Sequence, residues 1–512
     1  MYRKIEGDYL KRSIAIIDLG SNSIRMNIIG INERGGYSIY EQASEMVRLS
    51  EGMGEAQILR EVPIERTINA LLYFKKLIDV GGTVEVYALA TAAVRMAKNQ
   101  TEFLNRVKQS TGFEFKVLTG REEAYYDYLG VVNSMSLEDA LILDIGGAST
   151  ELIWMKGRKL MEAVSLPIGS VTLSERFSNQ KTKKKRVEAA KKYIEDFYDK
   201  LPWLKSVKGK PIIGLGGVIR TLGRIDRDLN GYPIENMHNY RMHEKEVDKL
   251  CALILETEDK DLDKISGISK KRADIIALGI LPFKCLFEQL ASEEVRISGN
   301  GLRDGYFYEK YFTSIGEPII VNDVLLKSKE NMIRRFDINE VHANHVKALT
   351  IQMFDAFQEV ALLSESDRKL LSTAALLHDI GIHIEYYDHH VHGFYLMLNG
   401  RMDGLTNPER IAVAYLVGSH REASIKTRME DFEAILTKPE VQRLSKLIVL
   451  LNIAEQLDRA ERSAVTNLKI ELKDNQAIIT LISNENIDLE RTSAERFAER
   501  FEKQYGMRLV FK

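Results

Sequence analysis

The sequence is poor in cysteine and has no long apolar segment. Its two cysteines, Cys251 and Cys285, cannot form a disulfide framework, and such scarcity favours the reducing environment of the cytoplasm. No apolar run approaches the roughly 20 residues that a membrane-spanning helix needs. The formal net charge is −2, so the chain as a whole lacks the basic surplus of a general nucleic-acid-binding protein. We therefore expect a cytoplasmic protein with neither a membrane nor a nucleic acid as its partner.

The length and composition are those of a large globular protein. The chain has 512 residues, of which 45% are hydrophobic and 29% are charged, and this balance is ample for a buried core. At roughly 100–200 residues per domain, the length predicts about three or four domains. Histidine is distributed unevenly, because eight of the ten histidines lie between His342 and His420. That stretch is a first candidate for a functional site.

The hydrophobic pattern divides the chain into two unlike parts. Up to about residue 315, strand-like apolar runs alternate with amphipathic helical segments, which predicts α/β organisation. From about Val321 the pattern is almost wholly helical, with a period of about 3.6 residues. Near the end, Leu468–Leu472 and Ala477–Ile482 flank a polar turn and predict a hairpin in a small α+β unit. The connector Thr313–Pro318 is the predicted boundary between the two parts.

An internal repeat lies within the first part. Ser13–Glu41 and Ala140–Val164 each read as an apolar strand that ends in aspartate, a glycine-containing turn, a second strand, a polar turn and a third strand. Asp18 matches Asp144 at an offset of 126 residues. The repeat predicts two similarly folded lobes that face each other across a cleft. The alternative is a pair of ordinary hairpins whose turns agree by coincidence.

The turns of both repeats suit a phosphate group and a metal ion. Asp18 is followed by Leu-Gly-Ser-Asn-Ser, and Asp144 by Ile-Gly-Gly-Ala-Ser-Thr-Glu. Glycine permits backbone N–H groups to approach a phosphate closely. Because the aspartates would repel a bare phosphate, they imply a divalent cation between carboxylate and phosphate. Mg²⁺ suits that position, since it accepts both kinds of oxygen and keeps several waters.

Three other segments leave two interpretations open. Ile213–Leu222 is glycine-rich between a strand and a helix, and it suits either a phosphate at the helix N-terminus or tight strand–helix packing. Glu122 and Glu123 begin a helix and suit either catalysis or complementation of the helix dipole. Arg95 follows a predicted strand, and it would either bind an anion or lie exposed to solvent.

Six motifs in a fixed order resemble one known family. They are DLGSNSIR, ATAAVR, TGREEA, DIGGAST-E, GLGGVIRTL and ISGNGLRDG. Together they closely resemble the exopolyphosphatase/guanosine pentaphosphate phosphatase (Ppx/GppA) family of the actin-like ASKHA superfamily. The likeness covers roughly residues 13–312 and, more loosely, the rest of the chain. It implies two ribonuclease-H-like lobes around a cleft in which terminal phosphates are hydrolysed with Mg²⁺.

The resemblance also implies roles for individual residues. Glu123 matches the general base that activates water, and Arg95 matches an arginine that binds the transferred phosphate. Asp144 and Glu151 match acids that coordinate Mg²⁺, and Asp18 faces them from the first repeat. Ala148 is a departure, since the family often has a third glycine there. The loops that bind phosphate are matched by Ser21, Asn22, Gly146, Gly147 and Ser149.

The histidine-rich part suggests a second metal site. His345 lies on an amphipathic helix, His378-Asp379 ends an apolar run, and Asp458 lies on the apolar side of a later helix. A buried aspartate needs a partner, which a metal ion provides. The four residues match the ligand pattern of HD domains, which long members of the family carry. His392 and His420 are candidates for a second ion. Mn²⁺, Fe²⁺, Ni²⁺ or Zn²⁺ suits these ligands, and scattered core histidines are the alternative.

The predicted fold class is multidomain α/β plus α. It comprises ribonuclease-H-like lobes at residues 1–135 and 136–315, an all-helical HD-type domain at 316–465 and a small α+β domain at 466–512. Lys270, Lys271, Arg272 and Arg303 are candidates for contacts with a long polyanion.

Four functions are consistent with these features. The leading one is an exopolyphosphatase that releases orthophosphate from inorganic polyphosphate, with Mg²⁺ and the help of a monovalent cation such as K⁺. The nearest alternative is hydrolysis of pppGpp to ppGpp. A third is an HD-domain phosphohydrolase whose actin-like half senses a ligand, and a fourth is a non-catalytic sensor of polyphosphate or alarmones. The family often forms homodimers, so we expect a homodimer.

Overall fold

A computed structural model describes residues 10–82, 85–421, 432 and 435–512. The predicted first lobe, at residues 1–135, therefore begins with residues outside the described part. The chain forms two compact units. Unit 1 contains residues up to Val324 except Arg34–Gly36, and unit 2 contains those three residues and Leu325–Lys512.

The strands of unit 1 form two sheets. They are β1 (Leu10–Leu19), β2 (Ile24–Asn32), β3 (Tyr37–Glu45), β4 (Glu85–Ala90), β5 (Phe115–Val117), β6 (Ala140–Ile145), β7 (Thr150–Lys156), β8 (Lys159–Leu166), β9 (Ile212–Leu215), β10 (Arg241–His243) and β11 (Glu294–Ile297).

Helices connect these strands. They are α1 (Glu61–Val80), α2 (Ala92–Met96), α3 (Gln100–Thr111), α4 (Gly120–Val132), α5 (Ser170–Arg176), α6 (Lys183–Tyr198), α7 (Gly216–Asn230), α8 (Glu244–Glu256), α9 (Ala273–Gly279), α10 (Leu281–Leu290) and α11 (Leu302–Ile315).

The two sheets have the same strand order. The first runs β3-β2-β1-β4-β5, and the second runs β8-β7-β6-β9-β11 with β10 added at its edge. In each sheet three antiparallel strands are followed by parallel ones. The central strands are apolar because both of their faces are covered, and Ile14–Ile17 and Ala140–Leu143 are fully buried. The predicted α/β organisation and the repeated lobe are present.

The turns of the repeat also agree in detail. The Gly20 N–H donates to the Ser23 carbonyl at 3.1 Å, and the Gly146 N–H donates to the Ser149 carbonyl at 2.9 Å. Because Gly20 and Gly146 occupy equivalent positions, the same turn closes both hairpins. Coincidence therefore does not account for the repeat.

Helix α4 packs unusually closely against α11. A Cβ atom added to Gly305 would lie 1.9 Å from the Tyr126 carbonyl oxygen, and one added to Gly130 would lie 2.5 Å from the Gly301 carbonyl oxygen. Neither position has room for a methyl group beside rigid backbone. The two glycines thus fix the position of α4, the helix that carries Glu123.

Unit 2 is helical up to a small C-terminal sheet, as predicted. Its elements are α12 (Val324–Phe336), α13 (Glu340–Ala361), α14 (Glu365–Leu377), α15 (His389–Asn399), α16 (Asn407–Gly418), α17 (Lys438–Gln456), β12 (Asn467–Lys473), β13 (Gln476–Ile482), α18 (Asp488–Glu495), α19 (Ala498–Tyr505) and β14 (Arg508–Phe511).

The predicted C-terminal hairpin is formed by β12 and β13. These strands pair antiparallel, with Leu468 opposite Leu481. The turn residues Asp474 and Asn475 both have positive φ, at 51° and 61°, as a two-residue hairpin turn requires. Strand β14 adds to β13 in parallel, an addition that sequence pattern did not predict.

The boundary between the units differs from the predicted 315/316 position. Val321 and Val324 are buried in the core that contains α4 and α11. Because the connector continues as part of this core, the compact units separate only between Val324 and Leu325. In the described ranges, none of the helices combines the length and the apolar character that crossing a membrane would require.

We expect Gly305→Ala to lower the free energy of unfolding by about 2–3 kcal/mol, because α11 must move away from α4. Differential scanning calorimetry would show a lower melting temperature. The matched control is Gly81→Ala, since Gly81 has helical φ at −74° and its added Cβ would contact only the Tyr40 hydroxyl and nearby carbonyls at 3.3 Å or more. Equal melting temperatures for the two variants would contradict the packing argument.

Candidate active site

The turns of the two lobes meet around a cavity of about 110 Å³ in unit 1. A Cβ atom on Gly147 would lie 3.1 Å from the Asn22 nitrogen, so the two turns are in direct contact. The predicted phosphate-binding residues are thus brought together. The cavity is lined by Asp18, Gly20, Ser21, Asn22, Ser23, Arg25, Thr91, Glu123, Asp144, Ile145, Gly146, Gly147, Ser149, Ser170, Gly216, Gly217, Arg272 and Leu302.

Strand register sets the charges on the two sides of the cavity. In the first lobe Asp18 lies opposite Arg25 on β2. In the second lobe Asp144 lies opposite Glu151 on β7. The equivalent cross-strand position therefore holds a cation in one lobe and a second carboxylate in the other.

The carboxylates of the cavity are costly to ionise. Burial raises the pKa of Glu123 to about 7, although the neighbouring Arg95 acts in the opposite direction. Burial raises the pKa of Asp144 to about 6, with Arg220 and Arg25 opposing the shift. Glu151 is buried and is not among the residues that line the cavity. Burial and the charges of Glu123 and Asp144 raise its pKa well above the usual range. Such crowded oxygen donors fit a divalent cation, which removes their mutual repulsion.

Glu123 is held by Arg95 and a short chain of hydrogen bonds. The Arg95 guanidinium donates to Glu123 Oε2 at 2.8 Å and to the Leu118 carbonyl at 2.9 Å. It also donates to Ser165 Oγ at 3.3 Å, and Ser165 donates to Glu151 Oε1 at 2.7 Å. In this conformation Arg95 contacts the predicted base and lies outside the cavity lining. The arrangement joins the predicted base to a predicted metal ligand.

Glu122, the other acid of the pair, has a structural role. Its carboxylate accepts from the Thr119 N–H at 2.9 Å, and its own N–H donates to the Thr119 hydroxyl at 3.2 Å. This reciprocal capping box begins α4. Glu122 therefore stabilises the start of the helix, whereas Glu123 faces the cavity.

Motif matching did not single out Asp127, one helical turn after Glu123. Asp127 is 1% exposed, and in the described part of the chain neither of its carboxylate oxygens has a hydrogen-bond partner. Burial and the charges of Asp144 and Glu151 raise its pKa well above the usual range. The spacing of four residues from Glu123 on one helix was the available signal.

Four arginines surround the acids without carboxylate partners of their own. Burial lowers the pKa of Arg220 to about 9, and the charges of Arg25 and Arg303 lower it further. Burial likewise lowers the pKa of Arg272 to about 10. In the described ranges, none of these four arginines forms an ion pair with a carboxylate. All four are half-buried, and half-buried cations without a carboxylate partner fit an anionic ligand.

The glycine-rich motif at the start of α7 makes room for two of these side chains. Gly216 has φ of +81°, and its added Cβ would lie 2.5 Å from Asp144 Oδ1. An added Cβ on Gly217 would lie 1.9 Å from an Arg272 nitrogen. Side chains of the cavity thus occupy the space that these two glycines leave. The glycines serve the cavity as well as the packing of the strand against the helix.

Unit 2 collects several of its histidines around Asp379. One group contains His342, His378 and Asp379, and a second contains Asp379, His389 and His420; in each group the potential ligand atoms lie within 4.8 Å of one another. Glu455 Oε2 lies 3.0 Å from His378 Nε2. The predicted residues His378, Asp379 and His420 are therefore together.

Two predicted histidine ligands are corrected. On α13 the buried stripe contains His342, Val346 and Leu349, and His345 lies only half-buried beside it. On α15, which begins at His389, the half-buried His392 lies outside the group. The prediction placed the wrong histidine of α13 at the site.

Asp458 also differs from its predicted role as a direct ligand. Its Oδ2 lies 2.8 Å from His342 Nδ1, so it orients this histidine from behind. Glu455, which the sequence analysis missed, instead faces the ring nitrogens of His342 and His378. Glu455 precedes Asp458 by three residues, one turn of helix.

Family comparisons agree with this geometry. Residues 29–313 match the Ppx/GppA phosphatase family, and residues 324–495 match domain III of Ppx/GppA phosphatases. A guanosine-5'-triphosphate,3'-diphosphate pyrophosphatase of Pseudoalteromonas atlantica is 29% identical over 421 residues, which cover 80% of this chain and 79% of that protein. The corresponding protein of Photobacterium profundum is 26% identical over 476 residues, or 91% of each chain.

Solved structures are also similar. The Ppx/GppA family member of Aquifex aeolicus has 33% sequence identity and a TM-score of 0.50, and the match covers 59% of this chain and 98% of that one. An exopolyphosphatase of Cytophaga hutchinsonii shares the fold, with 21% identity, a TM-score of 0.55 and coverage of 60% and 100%. Phosphatases of the family generally depend on divalent metals. This chain belongs to the Ppx/GppA phosphatase family and is an enzyme that hydrolyses phosphoanhydride bonds.

Proposed function

We propose that the protein is an exopolyphosphatase that releases orthophosphate from the end of inorganic polyphosphate in the cavity of unit 1. The observation that carries this proposal is the set of unpaired arginines beside the carboxylates. Polyphosphate bears charge on every phosphate, so its binding requires cations beyond the reacting end. Arg25, Arg220, Arg272 and Arg303 supply such cations.

The reaction needs a base, an orienting group and charge neutralisation. Glu123 accepts a proton from water, the water oxygen forms a bond to the terminal phosphorus, and the bridging P–O bond breaks to leave a chain one phosphate shorter. Arg95 holds the Glu123 carboxylate in position. Asp144 and Glu151 would hold Mg²⁺ together with Asp18. When bound, the ion supplies neutralisation of the phosphate charge.

The alternative substrate pppGpp is supported by a second cavity of unit 1. This cavity of about 560 Å³ is lined partly by Met53, Met96, Leu173 and Tyr193, and it includes Ala148 of the phosphate-binding turn. The Arg176 guanidinium lies 4.6 Å from the centroid of the Tyr193 ring. Polar and charged side chains, among them Glu55, Gln57 and Glu175, also line this cavity, and its aromatic ring offers a surface for a purine base. The names of the relatives from Pseudoalteromonas atlantica and Photobacterium profundum support the same substrate.

Other parts of the proposal rest on the family resemblance. These are assistance by K⁺, a homodimer, the cytoplasmic location and the division into four domains. An HD-type identity of the helical domain is supported by the group of His342, His378 and Asp379. Each of these points stays a prediction.

We expect Glu123→Gln to lower kcat for phosphate release from both polyphosphate and pppGpp by about 10²–10⁴-fold, because the amide cannot accept the proton. The matched control is Glu122→Gln, since Glu122 faces the capping box. Phosphate release by each purified variant gives the comparison. Full activity of Glu123→Gln, or equal losses in both variants, would contradict the assignment of the base.

The pH profile of kcat/KM should show the ionisation of the Glu123 carboxyl group. Its pKa of about 7 is raised above the usual value, and only the ionised form acts as a base. We therefore expect activity to be lost as pH falls through the midpoint. Because Arg95 favours the ionised form, Arg95→Gln should move the midpoint to higher pH. A midpoint that stays in place or moves to lower pH would show that another group limits the reaction.

The two substrates can be separated by a pair of variants. We expect Arg272→Gln to lower kcat/KM for long polyphosphate by about tenfold or more, since a charged contact to phosphate is lost. Tyr193→Leu should leave polyphosphate hydrolysis unchanged and, if pppGpp is a substrate, lower kcat/KM for it by about tenfold. The ratio of the two rate constants in each variant is the readout. A loss restricted to pppGpp in both variants would favour the nucleotide as the main substrate.

A further inference from the structure

A long segment without regular secondary structure connects β3 to α1. It comprises residues 46–60, and loops of this length in a compact domain usually carry a function. Buried apolar side chains fix the segment to the first lobe, because Val47, Leu49 and Met53 belong to the hydrophobic core of that lobe. The segment therefore follows a fixed path against the first sheet and its helices.

The segment is hydrogen-bonded to the phosphate-binding turn of the first lobe. The Arg48 N–H donates to the Asn22 carbonyl at 2.9 Å, and the Ser50 N–H donates to the Ser21 carbonyl at 3.0 Å. The Ser50 hydroxyl also donates to the Ser21 carbonyl, at 3.3 Å. Because Ser21 and Asn22 line the cavity of unit 1, the backbone of residues 48–50 and this side of the cavity hold one another in place.

The Arg48 side chain reaches the second lobe. Its Nη1 donates to Asp274 Oδ2 at 2.8 Å, and its Nη2 donates to Asp274 Oδ1 at 3.3 Å. Nη2 also donates to the Lys271 carbonyl at 3.1 Å. A guanidinium that binds both oxygens of a carboxylate fixes the orientation of the partner as well as its distance.

These contacts lie on both sides of Arg272 in the sequence. Lys271 precedes Arg272, and Asp274 follows it by two residues in the first turn of α9. Arg272 itself lines the cavity, and its guanidinium lies over Gly217. Arg48 thus fixes the backbone before and after an arginine that faces the cavity.

A second contact of the segment leads to the other phosphate-binding turn. The Gly52 N–H donates to Glu175 Oε1 at 3.0 Å. Glu175 lies on α5, and the N–H of Ser170, the first residue of α5, donates to the Gly146 carbonyl at 3.0 Å. The segment therefore contacts elements that are attached to the turns of both lobes.

The backbone of Arg48 shows that folding alone does not explain an arginine here. Its φ is 46°, in the left-handed region that glycine adopts at lower cost. The side chains of Arg48 and Asp274 are 28% and 50% exposed, and ion pairs with such exposure contribute little to folding. A glycine would serve the turn equally well, but it would lack the contacts to α9.

We propose that Arg48 is a positioning residue of the phosphatase reaction, which sets the place of Arg272 relative to the turn that contains Ser21 and Asn22. The turn would bind the reacting phosphate, and Arg272 a phosphate further along the substrate. Because Arg48 acts through Arg272, this role rests on the proposed function of Arg272 in binding the substrate. Without Arg48, Arg272 faces the substrate in a smaller fraction of the molecules, and the apparent affinity falls by that fraction.

Steady-state kinetics of the full chain provide the first test. The substrate is long polyphosphate, or pppGpp where the purified enzyme hydrolyses only the nucleotide. We expect Arg48→Gln and Asp274→Asn each to raise KM by about three- to tenfold. The kcat should change by less than about twofold, because Arg272 contacts a phosphate that does not react.

The matched control is Arg66→Gln. Arg66 forms an ion pair with Glu51 of the same segment, and their side chains are 38% and 47% exposed. This pair lies within the first lobe and has no contact with α9, so Arg66→Gln should keep the KM of the wild type. Equal rises of KM in Arg48→Gln and Arg66→Gln would assign the effect to the segment as a whole and contradict the role of Arg48.

A double-mutant cycle tests whether Arg48 acts through Arg272. Arg48→Gln added to Arg272→Gln should raise KM no further than Arg272→Gln alone, because the group that Arg48 positions is already absent. Additive effects of the two changes on KM would exclude this mechanism. A normal KM in Arg48→Gln beside a raised KM in Arg272→Gln would overturn the role of Arg48 and leave the proposed function intact. A normal KM in Arg272→Gln would overturn both.

Two further substitutions separate positioning from folding. Arg48→Gly should raise KM as Arg48→Gln does, while its melting temperature stays within about 2 °C of the wild type. Arg48→Lys should give an intermediate KM, since an ammonium keeps the charge but cannot reproduce the paired contact. A lower melting temperature of Arg48→Gly together with an unchanged KM would show that Arg48 has only a structural role.

Discussion

Uncompensated buried charge is the constraint on which the architecture of unit 1 depends. Acids and arginines are enclosed together near the turns of the two sheets, where water cannot fully solvate them. Burial makes the charged form of each group unfavourable, and the arginines in addition lack a carboxylate partner. A charged ligand restores the balance that neither group achieves alone. The fold must therefore keep these groups in place before any ligand arrives.

The glycines of the motifs follow from the same constraint. Gly216 and Gly217 leave the volume that Asp144 and Arg272 occupy, and Gly305 lets α11 hold α4 in place. The glycines of the motifs thus act by leaving space for neighbouring groups rather than by binding a ligand themselves. A side chain at Gly216 or Gly217 would displace a charged group, and one at Gly305 would move α11 away from α4. Such displacements of buried polar groups are unfavourable.

Sequence reasoning was most successful where a residue's role is local. The repeat and its turns are readable because a strand end fixes their position, whereas the role predicted for Glu123 came from the family resemblance. Arg25 and Arg220 were missed because their importance arises from neighbours that are distant in sequence. His345 and His392 were chosen over His342 and His389, which lie three residues earlier. Residues three apart are neighbours on a helix surface, so the sequence pattern could not separate the members of each pair. Only packing shows which face of α13 is buried and that α15 begins at His389.

The different partners of Asp18 and Asp144 have a consequence for how a substrate is held. Two hairpins of common design differ at one cross-strand position, arginine in the first lobe and glutamate in the second. The two lobes thus place opposite charges at equivalent positions. For the polyphosphate substrate that we propose, a phosphate beside Asp144 and Glu151 would need a divalent cation between it and the acids, whereas one beside Arg25 would be bound directly. Neighbouring phosphates of one chain would therefore be held by different means.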